Sequence, residues 1–519
     1  MARQIRAPLS WFDRVTQTLA PRWALNRARS RMAMDLLQRH YEGAATGRRT
    51  QGWNKASGDA NAVVGPALAS LRAVARDLVR NNPYAESALS TIADHAVGWG
   101  ITGKAQPAAK QIDVVWKAWA ETTACDADGR HDLAGLQKLV MRTVVESGEV
   151  LVRRRWRRAV DGLPLPLQIQ VLDPDYLDAS RDTAIFPASS GGGRILQGVQ
   201  FDALGRRVGY WIFPEHPGST MTASGASQLV PAAEILHVFK ASRPGQVRAP
   251  SWFGPVLLRA KDFDEFEDAT LMKQKIAACL AVITSDVDGT GTVLGTTNED
   301  DDTQDMLAPG MIMNVAPGRS VEVVQPPKVD EYEVYAKTQL RAIATGLGVT
   351  YEDLTGDYGS MPFSAARMSR LRHEARVHDW RWRILIPQFC DPVWGWAMEA
   401  IAVTTGLAER PRASWTPPPL PMVDPDKECN ANTKRVRSGQ ATLSEVLRER
   451  GYDPGEVFTE MAADHAQLDA LGLVLDSDPR RMTQAGQVQG TGGASEKAPA
   501  KPAVDDDDDA DDDERAYRH

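Results

Sequence analysis

Apolar positions recur at helical spacing through the stretch from Pro255 to Gly406, and the rest of the chain is arranged around it. Phe263, Phe266, Ala269, Met272, Ile276, Cys279 and Ile283 fall three or four residues apart, which predicts a helix with one apolar stripe. Lys261, Asp262, Asp264, Glu265, Glu267, Asp268, Lys273 and Lys275 charge its other faces. Asp286-Val-Asp-Gly289 then breaks the pattern with turn-forming residues. Met311-Ile-Met-Asn-Val315 and Val321-Glu-Val-Val324 read as short strands, punctuated by Pro309, Pro317, Pro326 and Pro327. A second helix carries Tyr332, Ala336, Leu340, Ile343 and Leu347 on one face. Ser364, as N-cap, opens a third and longer helix, which Pro387 is expected to kink.

Upstream, the pattern predicts helices from Pro66 to about Arg80, from Tyr84 to Val97, and over 111–121 and 132–147. Arg72, Arg76 and Arg80 form one basic line on the first of these, read as a solvated face. From Gly148 the period shortens to that of strands: Glu149–Arg153, Leu167–Leu172, Ile195–Phe201, Val208–Phe213 and Glu234–Phe239. Asp202–Arg206 is a compact turn that pairs its flanking strands as a hairpin. Phe186–Gly193 and Glu215–Gln228 read as loops rich in Gly and Ser. The Pro-rich run Trp415–Pro421 is a stiff connector to a small helical module, Asp424–Leu473, in which Thr442-Leu-Ser-Glu445 resembles a capping box. The fold class is α+β, mainly helical.

Composition sets outer bounds. The chain has 519 residues and 43% apolar content, enough for two or more packed domains or for one domain with long insertions. No apolar run approaches the ~18 residues of a membrane span, and no secretory signal is visible at the N-terminus. Cys125, Cys279, Cys390 and Cys429 lie far apart, which argues against a zinc framework or a disulfide scaffold and for reduced thiols. The net charge of −8 hides a segregation. The first fifty residues hold ten arginines against Asp13, Asp35 and Glu42, whereas Asp505–Glu514 holds nine acids. Without residues 505–519 the chain has 58 basic and 59 acidic residues. The order is therefore basic arm, near-neutral body and acidic tail, the tail being expected to stay disordered. The arm suits either nucleic acid or a neighbouring subunit.

Candidate chemistry is thin. Gly98-Trp-Gly-Ile-Thr-Gly-Lys104 fits both G-x-G-x-x-G and G-x-x-x-x-G-K, but a phosphate loop needs a strand before it and Ser or Thr after its Lys. Here a helix precedes the motif and Ala105 follows Lys104, so these glycines are read as a helix end and turn. His373 and His378 lie five residues apart on the long helix, roughly 140° around its axis, and so do not chelate together. Arg153-Arg-Arg-Trp-Arg-Arg158 suits a phosphate contact or a strand edge guarded by charge. The long helix carries six arginines, Arg367, Arg370, Arg372, Arg376, Arg381 and Arg383. Trp380, Trp382, Trp394 and Trp396 are read as packing residues. No catalytic, metal or cofactor residues are assigned.

Several runs resemble the portal proteins of tailed bacteriophages, lambda type. They are Ser251-Trp-Phe-Gly-Pro-Val-Leu-Leu-Arg-Ala-Lys-Asp-Phe-Asp-Glu-Phe-Glu-Asp-Ala-Thr270, Leu307-Ala-Pro-Gly310, Leu354-Thr-Gly-Asp-Tyr358 and Phe363-Ser-Ala-Ala-Arg-Met368, with Arg80-Asn-Asn-Pro-Tyr84 and Val97-Gly-Trp-Gly100 upstream. The resemblance covers roughly Pro66 to Leu475.

It implies a portal fold and a layout. Residues 1–60 are a basic arm, 61–254 the first part of an α/β wing, 255–285 and 331–349 two stem helices, and 286–330 a strand-rich clip. Residues 350–363 are a tunnel loop, 364–423 the long wing helix and its connector, 424–475 a helical crown and 476–519 the tail. The resemblance further implies a homo-oligomeric ring, a dodecamer in type, at the unique capsid vertex of the virion, assembled in the host cytoplasm. Double-stranded DNA would pass through it in packaging and ejection. The terminase large subunit, the major capsid and scaffold proteins, and head-completion or adaptor proteins are its implied partners, with no membrane. A helix is about 10 Å across, so twelve fill a circle of roughly 120 Å and leave a hole a little under 30 Å, enough for a duplex. Lys261, Lys273, Lys275, Thr355, Asp357, Tyr358 and Ser360 are the candidate DNA-channel residues. The alternative is a P-loop NTPase of the packaging motor, resting on Gly98–Lys104 alone. A third reading is a simple basic nucleic-acid-binding protein.

Overall fold

The computed structural model describes residues 58–182, 193–220, 225–278, 282–286, 319–323, 332–359, 361–407, 409–419, 421–422, 424–473 and 475. The basic arm up to residue 57, the strand expected at Met311–Val315, Ser360 and the acidic tail lie outside them. The fold is mixed α and β and mostly helical.

Helix α1 (Ala60–Val64) leads into α2 (Leu68–Asn81) and α3 (Pro83–Val97). Asn82 separates the last two: its extended backbone breaks the helix, and its side chain accepts from the Ala85 amide to start the next. Strand β1 (Thr102–Gln106) precedes α4 (Lys110–Ala120) and α5 (Leu133–Ser147), and α5 packs against α3. Strands β2 (Glu149–Trp156), β3 (Leu167–Leu172) and β8 (Ile235–Phe239) form an antiparallel sheet with β2 central. A second sheet has the order β4 (Arg194–Leu196), β5 (Val199–Phe201), β6 (Arg207–Ile212), β7 (Gln228–Pro231). The stretch Ile195–Phe201, expected as one strand, is thus two. Gln197 (φ 50°) and Gly198 (φ 85°) turn the chain between them, a left-handed pair that the apolar flanks concealed.

Alternation along β2 divides the core. Val150 and Val152 face the helices, and Leu151 faces the second sheet, where it meets Leu172, Val199, Tyr210, Ile212 and Val230. The larger core gathers α3, α4, α5 and the Trp-rich C-terminal helices, with Trp116 against Trp119, Trp394 and Trp415. The Trp residues read as packing groups are indeed mostly interior, except Trp382, which is half exposed.

Helix α6 (Leu257–Ala278) runs to the pair β9 (Val282–Asp286) and β10 (Arg319–Val323), and α7 (Tyr332–Leu347) returns. Ile283 therefore lies in a strand and does not extend the helix. A short helix α8 (Tyr351–Thr355) precedes α9 (Phe363–Trp380). Ser364 sits within the first turn of α9, behind Pro362, and is not its cap. The kink expected at Pro387 takes the form of a π-helical stretch, Arg381–Cys390, which carries the chain into α10 (Asp391–Thr405). A widened turn accommodates a proline that has no N–H to give. Strand β11 (Arg412–Thr416) pairs with β1, so Trp415 and Thr416 begin in a sheet and not in the Pro-rich connector. Helices α11 (Pro425–Arg437), α12 (Leu443–Glu449) and α13 (Pro454–Leu471) follow, and the Thr442 hydroxyl caps α12 as expected.

Candidate DNA-channel surface

Helices α6 and α7 lie side by side and antiparallel: Arg259 donates to Gln339 at one end (2.7 Å), and the Tyr332 hydroxyl donates to Glu267 at the other (2.8 Å). Phe266 stacks on Tyr332 and meets Tyr335 between them. The apolar face of α7 is as the spacing predicts, with Leu340, Ile343, Ala344 and Leu347 buried. Among the described side chains, the stripe expected on α6 holds at Phe263 and in part at Phe266 and then breaks, and Cys279 lies outside the described residues. Ala260 and Phe263 are buried, whereas Ala269 and Met272 face outward and Thr270 takes the inner position. Three- and four-residue spacing marks a face, but Asp264 and Glu267 also occupy the side turned to the protein. Asn82 donates to Asp264 at 2.5 Å, and burial raises that carboxyl's pKa against the hydrogen bond. Burial and Glu267 together push the Tyr332 hydroxyl up to about 12.

The outer side of α6 carries the candidate lysines. Lys261 is exposed and lies 3.5 Å from Glu265, one turn on. Lys273 is partly buried and Lys275 exposed. Leu258, Leu271 and Met272 share this helix's exposed surface at 79%, 50% and 57% exposure, and Val334 on α7 is 67% exposed.

The loop after α7 is better ordered than its glycines suggest. Thr350 accepts from the Asp353 amide and caps α8, and Gly356 ends it at φ 72°. Leu354 is buried, and Ser87 of α3 donates to its carbonyl (2.9 Å). Of the candidate residues, Thr355 spends its hydroxyl on the Tyr351 carbonyl, and Asp357 accepts from Tyr351 with Lys337 at 3.8 Å. Tyr358 reaches Asp353 through its hydroxyl (3.3 Å) while 60% of it stays exposed. The loop therefore has a docked base, a half-buried Asp357 and an exposed tip at Tyr358 and Gly359.

The structure brings together a polar group that sequence reading missed. Glu149, at the start of β2, is wholly buried between the sheets. Arg248 donates to its Oε1 through Nε (2.8 Å), Arg72 reaches the same oxygen (3.1 Å), and His237 lies 2.9 Å from Oε2. Arg207 lies 3.1 Å from His237 Nδ1, so that nitrogen accepts and the other carries the proton given to Glu149. Burial and the facing arginines keep His237 neutral, while Arg248 and His237 overcome burial to hold the Glu149 carboxyl far below its ordinary range. Arg72 also pairs with Asp175. Arg76 pairs with Asp173 and with Asp175, at 2.6 Å each. The basic line on α2 is thus not a solvated face: Arg72 and Arg76 are built inward, and Arg80 remains exposed. Three acids at the start of β2 and the end of β3, at 149, 173 and 175, are the available signal.

The patch at Arg153–Arg158 is turned inward in part. Its strand is central up to Arg153 and an edge from Arg154 onward. Arg154 pairs with Glu399 (2.8 Å) over Trp156 and Trp396, and Arg155 and Arg157 donate to Gln170 and Gln168. The Gly98 motif ends α3 and is followed by strand β1, the reverse of a phosphate loop. Lys104 is held by Asp453 (3.0 Å) and Glu456 (2.8 Å) of the C-terminal module. His373 and His378 do not meet, but His373 lies against His95 of α3, with 2.7 Å between ring nitrogens.

Comparison with known proteins bears on this arrangement directly. The profile of the phage portal protein, lambda family, matches residues 46–381, well over half of the chain. The chain is 24% identical over 476 residues to the probable portal protein of Halomonas phage phiHAP-1, covering 84% of this chain and 88% of that one. It is 25% identical to the portal protein of Escherichia phage N15 and 24% identical to portal protein B of Escherichia phage lambda, each over 490 residues. Those matches cover 84% of this chain and 91% and 90% of the two relatives. Among solved structures, the neck of a native gene transfer agent particle, computed with C12 symmetry, aligns at 14% identity and a TM-score of 0.43, over 73% of this chain and 94% of that one. The chain belongs to the lambda family of phage portal proteins.

Proposed function

We propose that the protein assembles as a ring at the capsid vertex and conducts double-stranded DNA during packaging and ejection. The observation that carries this reading, beyond family membership, is the pair α6 and α7. Each helix buries one face against the body and leaves Leu258, Leu271, Met272 and Val334 exposed, and such residues find cover against identical neighbours around an axis. In this reading 255–285 and 331–349 are the stem, 286–330 the clip, and 61–254 with 364–423 the wing. Residues 424–475 are the crown, and 350–363 the tunnel loop. The ring docks the terminase large subunit during packaging and head-completion proteins afterwards, within a shell of major capsid and scaffold proteins. It works by conduction and not by catalysis: Lys104, the cation of the Gly98 motif, is engaged by two carboxylates.

A conduit must touch DNA without gripping it, because each neutralised phosphate adds salt-dependent affinity. The stretch Asp357–Gly359 offers an aromatic and an acid and no cation. A Cβ added at Gly359 would meet nothing nearer than Asp357 Oδ1 at 3.6 Å, so Gly359→Lys adds charge without strain. It is expected to slow packaging at low salt and to recover as salt rises. Rings of this variant that package at normal speed in low salt would put the loop away from DNA.

A further inference from the structure

His95 on α3, His373 on α9 and Asp353 on α8 bring their ligand atoms within 4.8 Å of one another, from three separate elements. We propose that these three residues form a site for a zinc-class divalent cation, which fastens the 351–359 loop to the helical body.

The geometry is that of ligands waiting for a shared centre. His95 Nδ1 and His373 Nε2 face each other at 2.7 Å. Two imidazole lone pairs cannot face each other at that distance, so one proton lies between them. A metal ion takes the place of that proton. At bond lengths of about 2.0–2.1 Å, two nitrogens on one ion stand about 3.0–3.4 Å apart, a shift of less than an ångström from the distance here. Asp353 supplies the negative charge. Its amide is held by Thr350 and its carboxylate accepts from Tyr358, which fixes it at the site's edge. His373 is 6% exposed, and its other nitrogen is buried without a well-formed hydrogen bond, beside the Gly348 backbone. Burial lowers the pKa of both imidazoles, which keeps them neutral, the state in which they bind metal.

A cavity of about 270 Å³ adjoins the three residues and is also lined by Glu352, which leaves room for water or a further carboxylate to complete the coordination. Of the arginines around the site, Arg370 is drawn aside by Glu374 (3.0 Å) and by the Pro421 carbonyl, and Arg381 donates to the backbone carbonyls of His95 and Ala96, while Arg376 stands on the His373 side. Two imidazoles and one carboxylate favour Zn²⁺, Co²⁺ or Ni²⁺ over Mg²⁺ or Ca²⁺. The other cluster of this kind among the described residues, Asp173, Asp175 and His216, is less suited, since Arg76 pairs with both of its acids.

That the fastened loop is the tunnel loop rests on the proposed function, but metal binding itself does not, and the test separates the two. Untagged full-length protein stripped with chelator is titrated with Co²⁺ and followed by visible absorption. One Co²⁺ per chain is expected, with the bands of four- or five-coordinate nitrogen and oxygen ligation, displaced by Zn²⁺ and not by Mg²⁺. His95→Gln and Asp353→Asn are each expected to weaken binding at least tenfold, and His216→Gln to leave it unchanged. If a variant fails to fold, the ligation seen in the wild-type spectrum still decides. A silent titration, or binding unaffected by either ligand variant, overturns the proposal. A metal that binds as expected while packaging is the same with and without it keeps the site and removes its link to the channel.

Discussion

Two regions of this protein carry many charges and use them in opposite ways. Around Glu149 the charges are interior, with one carboxylate sharing two arginines and a histidine between two sheets. Along the outer face of α6 the charges stand in water, with Lys261 and Glu265 the pair within reach of each other. Buried charge is costly to expose to a missing partner and exposed charge is cheap to lose, so the first region fixes structure and the second leaves a surface free to meet something else.

The sharpest way to break this contrast is to remove the shared carboxylate. Glu149→Leu leaves Arg72 and Arg248 interior without it, and unfolding in urea is expected to show a loss of about 3–5 kcal/mol. A loss below about 1 kcal/mol would mean that the sheets are held by Leu151 and its neighbours alone.

The folded-state pKa of His237 lies below its ordinary value, so the unfolded chain takes up that proton first. The stability it contributes is present above about pH 6.5 and is lost as pH falls through the lowered value, by up to about 1.4 kcal/mol per pH unit. Glu149, whose folded-state pKa is also depressed, keeps its charge through this window and loses its contribution only at far lower pH. Stability measured from pH 7 to 5 is therefore expected to fall more steeply in the wild type than in His237→Gln.

Much of the frame was legible in the chain, and the node was not. Periodicity located α3, α5 and α7, and Asp202–Arg206 the hairpin, because each depends on neighbours in sequence. Arg72 and Arg76 were read as solvated because spacing shows which residues share a face but not what that face meets. Their partners are 71 to 103 residues away. The same limit hid His95, which lies 278 residues from His373, and β1, whose partner β11 is over 300 residues on. The loop tip was found through family resemblance, since Asp357, Tyr358 and Gly359 encode no chemistry of their own.

Smaller effects test the lesser contacts. Lys104→Ala removes pairs that are partly exposed, with an expected cost of at most about 1 kcal/mol, confined to faster hydrogen exchange at the start of α13. Nucleotide hydrolysis by the wild type that disappears in this variant would revive the motor reading. Lys261→Ala is expected to stay within about 0.5 kcal/mol of wild type. Leu271→Asp should be equally mild for folding yet reduce the oligomer by light scattering, which separates a surface kept for neighbours from one kept for the fold.

In the proposed ring, α6 and α7 line a channel built from copies of this chain. Electron microscopy of the purified full-length protein tests it most directly. Closed rings are expected, with a central hole a little under 30 Å across and the antiparallel helix pair of each subunit beside it. Compact monomers, or rings whose hole is lined by other elements, would contradict it.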